Sequence, residues 1–179
     1  GGDRTLALTA YGSGAGSPSI SVMAKQALNI DPQAHNPVLC KIYKKTLVTE
    51  NQESSKKDSL NKGNYYRALL FKAYTDSGAR ALSNSFLSNL KLLISGNAKE
   101  DWPFMQLRAE NKREFTLEAL PTGYAILDFV PNGDPSTMLD SSAFSVNGTS
   151  LETELQIGTA AAGQRVDVVT LETVPAGLW

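Results

Sequence analysis

The feature of this sequence that most constrains its fold is a series of short segments in which apolar and polar residues alternate between clusters of turn-forming residues. Alternation with a period of two is typical of a β-strand that buries one face. Eight segments have this character: Arg4–Tyr11, Ser19–Leu28, Val38–Val48, Tyr65–Tyr74, Leu87–Ile94, Gly123–Val130, Leu151–Ile157 and Arg165–Val174. The links between them are rich in Gly, Ser, Asn, Asp and Pro, which suit turn dihedrals. The pattern predicts an all-β chain.

Three of these segments indicate how they lie in a sheet. In Leu151–Ile157 the residues Glu or Gln alternate with Leu, Thr or Ile, which predicts one wet face. Tyr65–Tyr74 carries apolar side chains on both faces, so we expect it either at the centre of a sheet or against a neighbouring subunit. In the last segment the apolar phase shifts between Val168 and Val169, which predicts a β-bulge or burial on both faces.

Two stretches interrupt the alternation. Glu50–Gly63 is polar and aperiodic, and we expect it to project into solvent as a loop. Asp101–Phe115 has the pattern of a short amphipathic helix, with Asp101 as its cap and Pro103 in its first turn. Its predicted inner face holds residues three or four apart, namely Phe104, Leu107, Asn111 and Phe115. The order of elements predicts an all-β fold, a single eight-stranded jelly-roll sandwich with a short helix between strands five and six.

Length and composition indicate one globular domain over residues 1–179. Apolar residues make up 41% and charged residues 20%, so a packed core is expected. The formal net charge is -1 and the basic residues are dispersed, which argues against direct binding of nucleic acid. No apolar run approaches the ~20 residues that a membrane-spanning helix needs.

Histidine and cysteine offer little for catalysis or metal binding. The single His35 lies in a Pro-rich loop without a partner nearby in sequence, and we expect it to have no catalytic role. The single Cys40 begins an apolar strand and is interpreted as a small core residue rather than a nucleophile. The run GSGAG at Gly12–Gly16 lacks the Lys and the following helix of a phosphate loop, so it is interpreted as a flexible turn. We therefore predict no catalytic, cofactor-binding or metal-binding residues.

Two groups of acidic residues are candidate sites. Calcium could be imagined at Asp128, Asn132, Asp134 and Asp140, but their spacing fits no calcium loop and turn chemistry is the preferred interpretation. A second acidic group, interspersed with basic residues, is interpreted as a solvated helix face with ion pairs between near neighbours. Its members are Arg108, Glu110, Lys112, Arg113, Glu114 and Glu118.

Two tryptophans and one glycosylation sequon are the remaining candidate functional residues. Trp102 is expected to pack in the core, and the role of Trp179 is left open. Asn147-Gly148-Thr149 matches the glycosylation sequon, which carries little weight without a secretory signal.

Part of the sequence resembles a known family. The phrases are YRALLFKAYTDSGARALSNSFLSNLKLLISGN, then RAENKREF in the predicted helix, then LPTGYAILDFVPNGDPSTMLDSSAFS. They resemble the major capsid proteins of tailless, membrane-containing phages of the corticovirus and tectivirus type, the double jelly-roll lineage. In that family a helix fills the long connection between two strands, and a Tyr/Phe-rich strand leads to a Leu-Asp turn, here Leu139-Asp140. The resemblance covers the last two-thirds of the chain and contains no catalytic signature.

The resemblance implies a coat protein of the virion, assembled in the host cytoplasm, that forms homotrimers or larger capsomers. It also implies possible contacts with other virion proteins or an internal membrane, and no cofactor. The chain departs from the family in length, because 179 residues hold one jelly roll and the family usually has two. The chain could thus be a single-jelly-roll coat protein, half of a longer one, or a non-capsid relative. The near-zero net charge and the strands with two apolar faces both favour self-association.

Two other functions are compatible with a jelly roll. A carbohydrate- or receptor-binding module would need a shallow groove with at least two exposed aromatic side chains. The candidates for that groove are Tyr11, Tyr43, Tyr65, Tyr74 and Trp179. An enzyme of the cupin type would need a metal held by several histidines, and the sequence has one histidine.

Overall fold

The computed structural model of the chain describes residues 39–50, 53–76, 81–158 and 161–174. The chain divides into two compact units, Gly1–Asn36 and Pro37–Trp179, and all of the described residues belong to the second. The predicted strands Arg4–Tyr11 and Ser19–Leu28 lie outside the described residues. The prediction of one domain over residues 1–179 stays a prediction.

The described residues form nine strands, two α-helices and one 3-10 turn. The strands are β1 (Leu39–Val48), β2 (Ser55–Ser59), β3 (Tyr65–Tyr74), β4 (Leu87–Ile94), β5 (Asn97–Pro103), β6 (Tyr124–Asp128), β7 (Leu139–Asp140), β8 (Leu151–Ile157) and β9 (Arg165–Val174). The helices are α1 (Phe104–Glu114), between β5 and β6, and the five-residue α2 (Ser142–Val146). A 3-10 turn spans Pro135–Thr137.

The strands form two antiparallel sheets. The first sheet has the order β1-β9-β3-β6, with the two-residue β7 beside β3, and the second has the order β2-β8-β4-β5. The chain passes from one sheet to the other at nearly every connection, and the main exception is the β4–β5 hairpin. Its two-residue turn, Ser95 and Gly96, has positive φ at both positions, as the tight hairpin turn requires. The two antiparallel sheets confirm the predicted jelly-roll sandwich, but the described residues form nine strands instead of eight, and two of the predicted eight lie outside them.

The hydrophobic core lies between the two sheets. Its side chains come from every second position of the central strands, as the two-residue period of a strand requires. Its buried members include Leu69 and Phe71 of β3, Leu90 and Leu92 of β4, Leu155 of β8, and Val166 and Val168 of β9. Phe104 and Leu107 of α1 enter the same cluster, so the helix is part of the core.

Most predicted strands agree with the structure. β3, β4, β8 and β9 have the predicted bounds, and β6 lies inside the predicted Gly123–Val130. β3 is central in its sheet, between β9 and β6. Three successive residues of β9, from Val166 to Val168, are buried, which confirms that β9 is buried on both faces. The β-bulge in the pairing of β9 with β3 lies on β3, between Tyr66 and Ala68.

Two predictions about the links were wrong. The polar stretch Glu50–Gly63 contains β2, which pairs with β8 as an edge strand. Alternation is absent there because a polar residue, Asp58, occupies the buried position and is neutralised by Lys45 from the opposite sheet. The helix begins at Phe104 rather than at Asp101, because Asp101 belongs to β5 and pairs with Lys91.

Candidate assembly surfaces

Helix α1 covers one lateral edge of the sandwich. Asn111, buried in the helix, donates from Nδ2 to the carbonyl of Ile126 at 2.7 Å and accepts the Ile126 amide at Oδ1 at 2.7 Å. Arg108, also buried, donates to the carbonyls of Pro121, at 2.9 Å, and Tyr124. Burial lowers the pKa of the Arg108 guanidinium. Through these contacts α1 occupies the free edge of β6. The exposed backbone of an uncovered edge strand would be a template for pairing with another chain.

At the opposite lateral edge, β1 and β2 are bridged by a side-chain pair instead of a helix. Lys45 of β1 forms a short ion pair with Asp58 of β2, whose side chain is buried. Along β1, the side chains of residues 40–44 are exposed on both faces of the strand. Among the described residues, no strand pairs with the outer edge of β1.

The outer face of the second sheet is charged. Its central row runs across four strands as Lys57, Glu154, Lys91 and Asp101, since these residues are cross-strand partners. Lys57 lies 3.2 Å from Glu154, and Lys91 lies 3.8 Å from Asp101. Alternating charges of this kind suit a face in water.

The outer face of the first sheet has a different character. Two adjacent cross-strand rows carry six apolar side chains in register, which we name the apolar band. Its members are Ile42 of β1, Leu171 and Val169 of β9, Ala68 and Leu70 of β3, and Ile126 of β6. Ile42 is 70% exposed, and a shallow depression of about 70 Å³ lies between Ile42, Arg67 and Leu171. A contiguous apolar patch rimmed by polar residues is typical of an interaction site.

Charges of both signs surround the apolar band. Asp167, buried in the neighbouring row, accepts from Arg165 at 2.8 Å and from Thr46 at 2.8 Å and pairs with Lys44 at 2.9 Å. Burial alone would raise the pKa of Asp167, but these donors lower it to about 2. In the same row Lys72 lies over two tyrosine rings, about 5 Å from each centroid. The band is thus an apolar centre with a polar rim, the usual anatomy of a protein interface.

A groove of about 320 Å³ runs between α1 and β6. Trp102, Glu110, Glu114 and Asp128 are among the residues that line it. Partial burial, with the nearby Asp128 carboxylate, raises the pKa of Glu114. Among the described residues, no three His, Cys, Asp or Glu side chains are placed to hold a metal ion. The groove has one aromatic side chain, Trp102, which packs partly against the core as the sequence predicts.

The acidic residues considered for calcium lie in separate turns, as the preferred interpretation has it. Asp128, Asp134 and Asp140 each accept a hydrogen bond from the backbone amide two residues further on, at 2.8 to 2.9 Å. The Ser136 amide lowers the pKa of Asp134. The interpretation as turn chemistry is therefore confirmed for these three residues.

Two assignments of single residues were wrong. Cys40 is exposed, because it points outward from an edge strand instead of into the core. Arg108 is buried, although the sequence placed it on a solvated helix face, because neighbouring carbonyls of the loop before β6 and of its first residue accept its donors. An arginine four residues after Phe104, on the same helix face, was the signal that could have located it. The remaining charged face is as predicted, with Arg113 paired to Glu110 in solvent.

Three of the aromatic side chains proposed for a sugar groove belong to the described residues, and two of these, Tyr65 and Tyr74, lie at opposite ends of β3. Tyr43 is exposed on β1, while Tyr74 is 5% exposed at the far end of β3 from Tyr65. Tyr11 and Trp179 lie outside the described residues, as do His35 and Gly12–Gly16. Asn147, of the sequon, is exposed at the end of α2. Within the described part of the chain, neither helix is long and apolar enough to span a bilayer.

The two four-stranded sheets, with a helix in the connection that crosses from β5 to β6, give the chain the jelly-roll fold of viral major capsid proteins. It is similar to the crystal structure of the major capsid protein of Sulfolobus Turreted Icosahedral Virus, with a TM-score of 0.62 and 19% sequence identity. That match covers 78% of this chain and 42% of the viral chain. A second structure of the same virus gives a TM-score of 0.61 at 17% identity, over 78% of this chain and 40% of that one. The predicted resemblance to capsid proteins is confirmed at the level of the fold.

A further similarity is to the major capsid protein P2 of Bacteriophage PM2, with a TM-score of 0.48 and 15% identity over 74% of this chain and 51% of that chain. This chain spans about two-fifths of the length of the Sulfolobus Turreted Icosahedral Virus chains it matches. No model of a known protein family matches the sequence. Nor does the sequence significantly match any curated protein.

Proposed function

We propose that this chain is a structural protein of a virion, a coat subunit that associates with copies of itself and carries out no catalysis. The observation that carries the proposal is the fold shared with a viral major capsid protein over 78% of the chain. The apolar band supports it, because a coat subunit must bury surface against neighbours whereas an isolated domain gains nothing from an apolar outer face.

The match to about two-fifths of the viral chain supports a subunit with one jelly roll, acting alone or as half of a longer coat protein. The proposed state is a homotrimer or larger capsomer, in contact with other virion proteins or an internal membrane. Cyclic symmetry turns such self-contacts into a closed ring. Neither a cofactor nor nucleic acid has a place in this function.

The mass of the chain in solution tests the proposal. We expect sedimentation velocity over a range from micromolar to millimolar chain to give species of three or more copies, and electron microscopy of the concentrated sample to show ordered assemblies. A chain that stays monomeric at millimolar concentration contradicts the proposal. The alternative function is tested with the same preparation on a glycan array, where specific binding by a monomer would favour a carbohydrate-binding module.

A further inference from the structure

The outer faces of the two sheets bear unequal side chains, and this asymmetry points to an interface. The second sheet presents a row of four alternating charges, from Lys57 to Asp101. The first presents two rows in which Leu171 pairs with Ile42 and Ala68, and Leu70 pairs with Val169 and Ile126. Ala68 is already covered by its neighbours, at 6% exposure, but none of these side chains belongs to the core cluster, because the core side chains of the same strands point the other way.

We propose that the apolar band is the contact surface for a second copy of this chain, packed face to face on the first sheet. The inference rests on the proposed function, and it adds a two-fold contact that pairs copies and so joins one closed ring of copies to another. Two observations favour a second copy as the occupant, and they concern area and charge.

The area of the face is that of a stable interface. Three strands of ten residues and one of five, about 4.8 Å apart, present a face of roughly 550 Å². A biological interface needs about 500 Å² from each partner, with an apolar centre and a polar rim. The apolar band supplies the centre, and the row of Asp167 and Lys72 supplies part of the rim.

The charges of the face are complementary to themselves. Lys44 lies at the β1 end of one row of the band, and Asp128 lies at the β6 end of the adjacent row. A two-fold axis parallel to the strands places β1 of one copy over β6 of the other. Lys44 of each copy then comes beside Asp128 of the other, twice per interface. The Lys44 side chain is 52% exposed and retains donors beyond its contact with Asp167.

Lysine substitutions in the apolar band test the interface. Ile42→Lys changes a side chain that is 70% exposed, so the fold tolerates it, and Leu171→Lys changes the centre of the band. Each variant buries an unpaired charge on association, and we expect the dissociation constant for self-association, from sedimentation velocity, to rise at least tenfold. Val146→Lys is the matched control, because Val146 is 85% exposed on α2, outside the band, and we expect no change. Thermal unfolding of each variant shows whether the fold is intact.

A charge exchange tests the orientation. Lys44→Glu alone is expected to weaken association, and the double variant Lys44→Glu with Asp128→Lys is expected to restore most of it. If the wild type associates while Ile42→Lys and Leu171→Lys associate equally well, the interface is wrong and the coat function stands. If the exchange does not restore association, the face-to-face orientation is wrong. A wild type that never associates contradicts the coat function itself.

Discussion

The carboxamide of Asn111 and the backbone of Ile126 are joined by two hydrogen bonds, each of 2.7 Å, in which the side chain takes the place of a neighbouring strand. Because the pair closes the free edge of β6, the first sheet has one edge protected by a helix and one edge, β1, with no such cover among the described residues. Association through an unprotected strand is the hazard that edge protection prevents. The helix therefore prevents another strand from pairing with the edge of β6, while the outer face of the sheet stays open.

Replacing Asn111 tests the protection of that edge. In Asn111→Ala two backbone groups of Ile126 lose their partner, the buried Asn111 carboxamide, which costs about 2 to 4 kcal/mol of unfolding free energy. Urea denaturation followed by circular dichroism measures this loss. Gln106→Ala, exposed on the same helix, should change the unfolding free energy by less than about 0.5 kcal/mol. Equal stabilities of the two variants would show that the Asn111 pair contributes nothing.

The position of α1 depends on one aromatic side chain. Phe104 is fully buried at the start of the helix and belongs to the core cluster between the sheets. Phe104→Ala leaves a cavity there and should lower the unfolding free energy by about 3 to 5 kcal/mol. Met105→Ala is the control, because the neighbouring Met105 is 58% exposed and should cost little. If Phe104→Ala unfolds at the same urea concentration as Met105→Ala, then α1 is not anchored through Phe104.

The strands that the sequence predicts correctly are those whose burial alternates. In Leu151–Ile157 every second residue is buried, so the alternation of residue types is visible without tertiary information. β2 and β5 escape prediction because they are edge strands with polar sequences. β2 turns Asp58 toward the core, where the ion pair with Lys45 replaces an apolar contact, and only the folded structure brings that lysine within reach.

The sequence indicated only the part of the apolar band that lies on β3. Apolar residues on both faces of Tyr65–Tyr74 indicated either a central strand or a subunit contact, and β3 is central in its sheet. The band itself depends on register, because Ile42, Leu171 and Ala68 are separated in sequence and meet only when β1, β9 and β3 pair. Long-range pairing of this kind leaves no local pattern.

Gly123 should tolerate no side chain. Its φ is +78°, and an added Cβ would lie 2.7 Å from the carbonyl oxygen of Ala73, next to Leu82. Gly96 has nearly the same φ, +79°, with nothing within 4 Å, so Gly96→Ala measures the backbone strain alone, about 1 kcal/mol. We expect Gly123→Ala to cost at least about 1 kcal/mol more than Gly96→Ala in urea denaturation. Equal losses of unfolding free energy in Gly123→Ala and Gly96→Ala would mean that the backbone around Ala73 shifts to make room for the added Cβ.

The Asp167 carboxylate should make the unfolding free energy depend on pH in the acid range. Its pKa of about 2 in the folded chain lies below the ordinary value of 3.8, because Arg165, Lys44 and Thr46 hold the ionised form. A group with a depressed folded pKa stabilises the fold above its unfolded pKa and loses that contribution as the pH falls through the folded pKa. The contribution, about 2 kcal/mol, is therefore complete above about pH 5 and disappears between about pH 4 and pH 2.

Asp167→Asn isolates this contribution. The variant should be less stable than wild type by about 2 kcal/mol at pH 6, and the difference should shrink as the pH approaches 2. Urea denaturation at closely spaced pH values measures the difference directly. Asp101→Asn is the control, because the Asp101 side chain is 52% exposed beside Lys91, and its loss should cost under about 1 kcal/mol at every pH. A difference between wild type and Asp167→Asn that stays constant from pH 6 to pH 2 would show that the Asp167 carboxylate is not held in its ionised form by the donors around it.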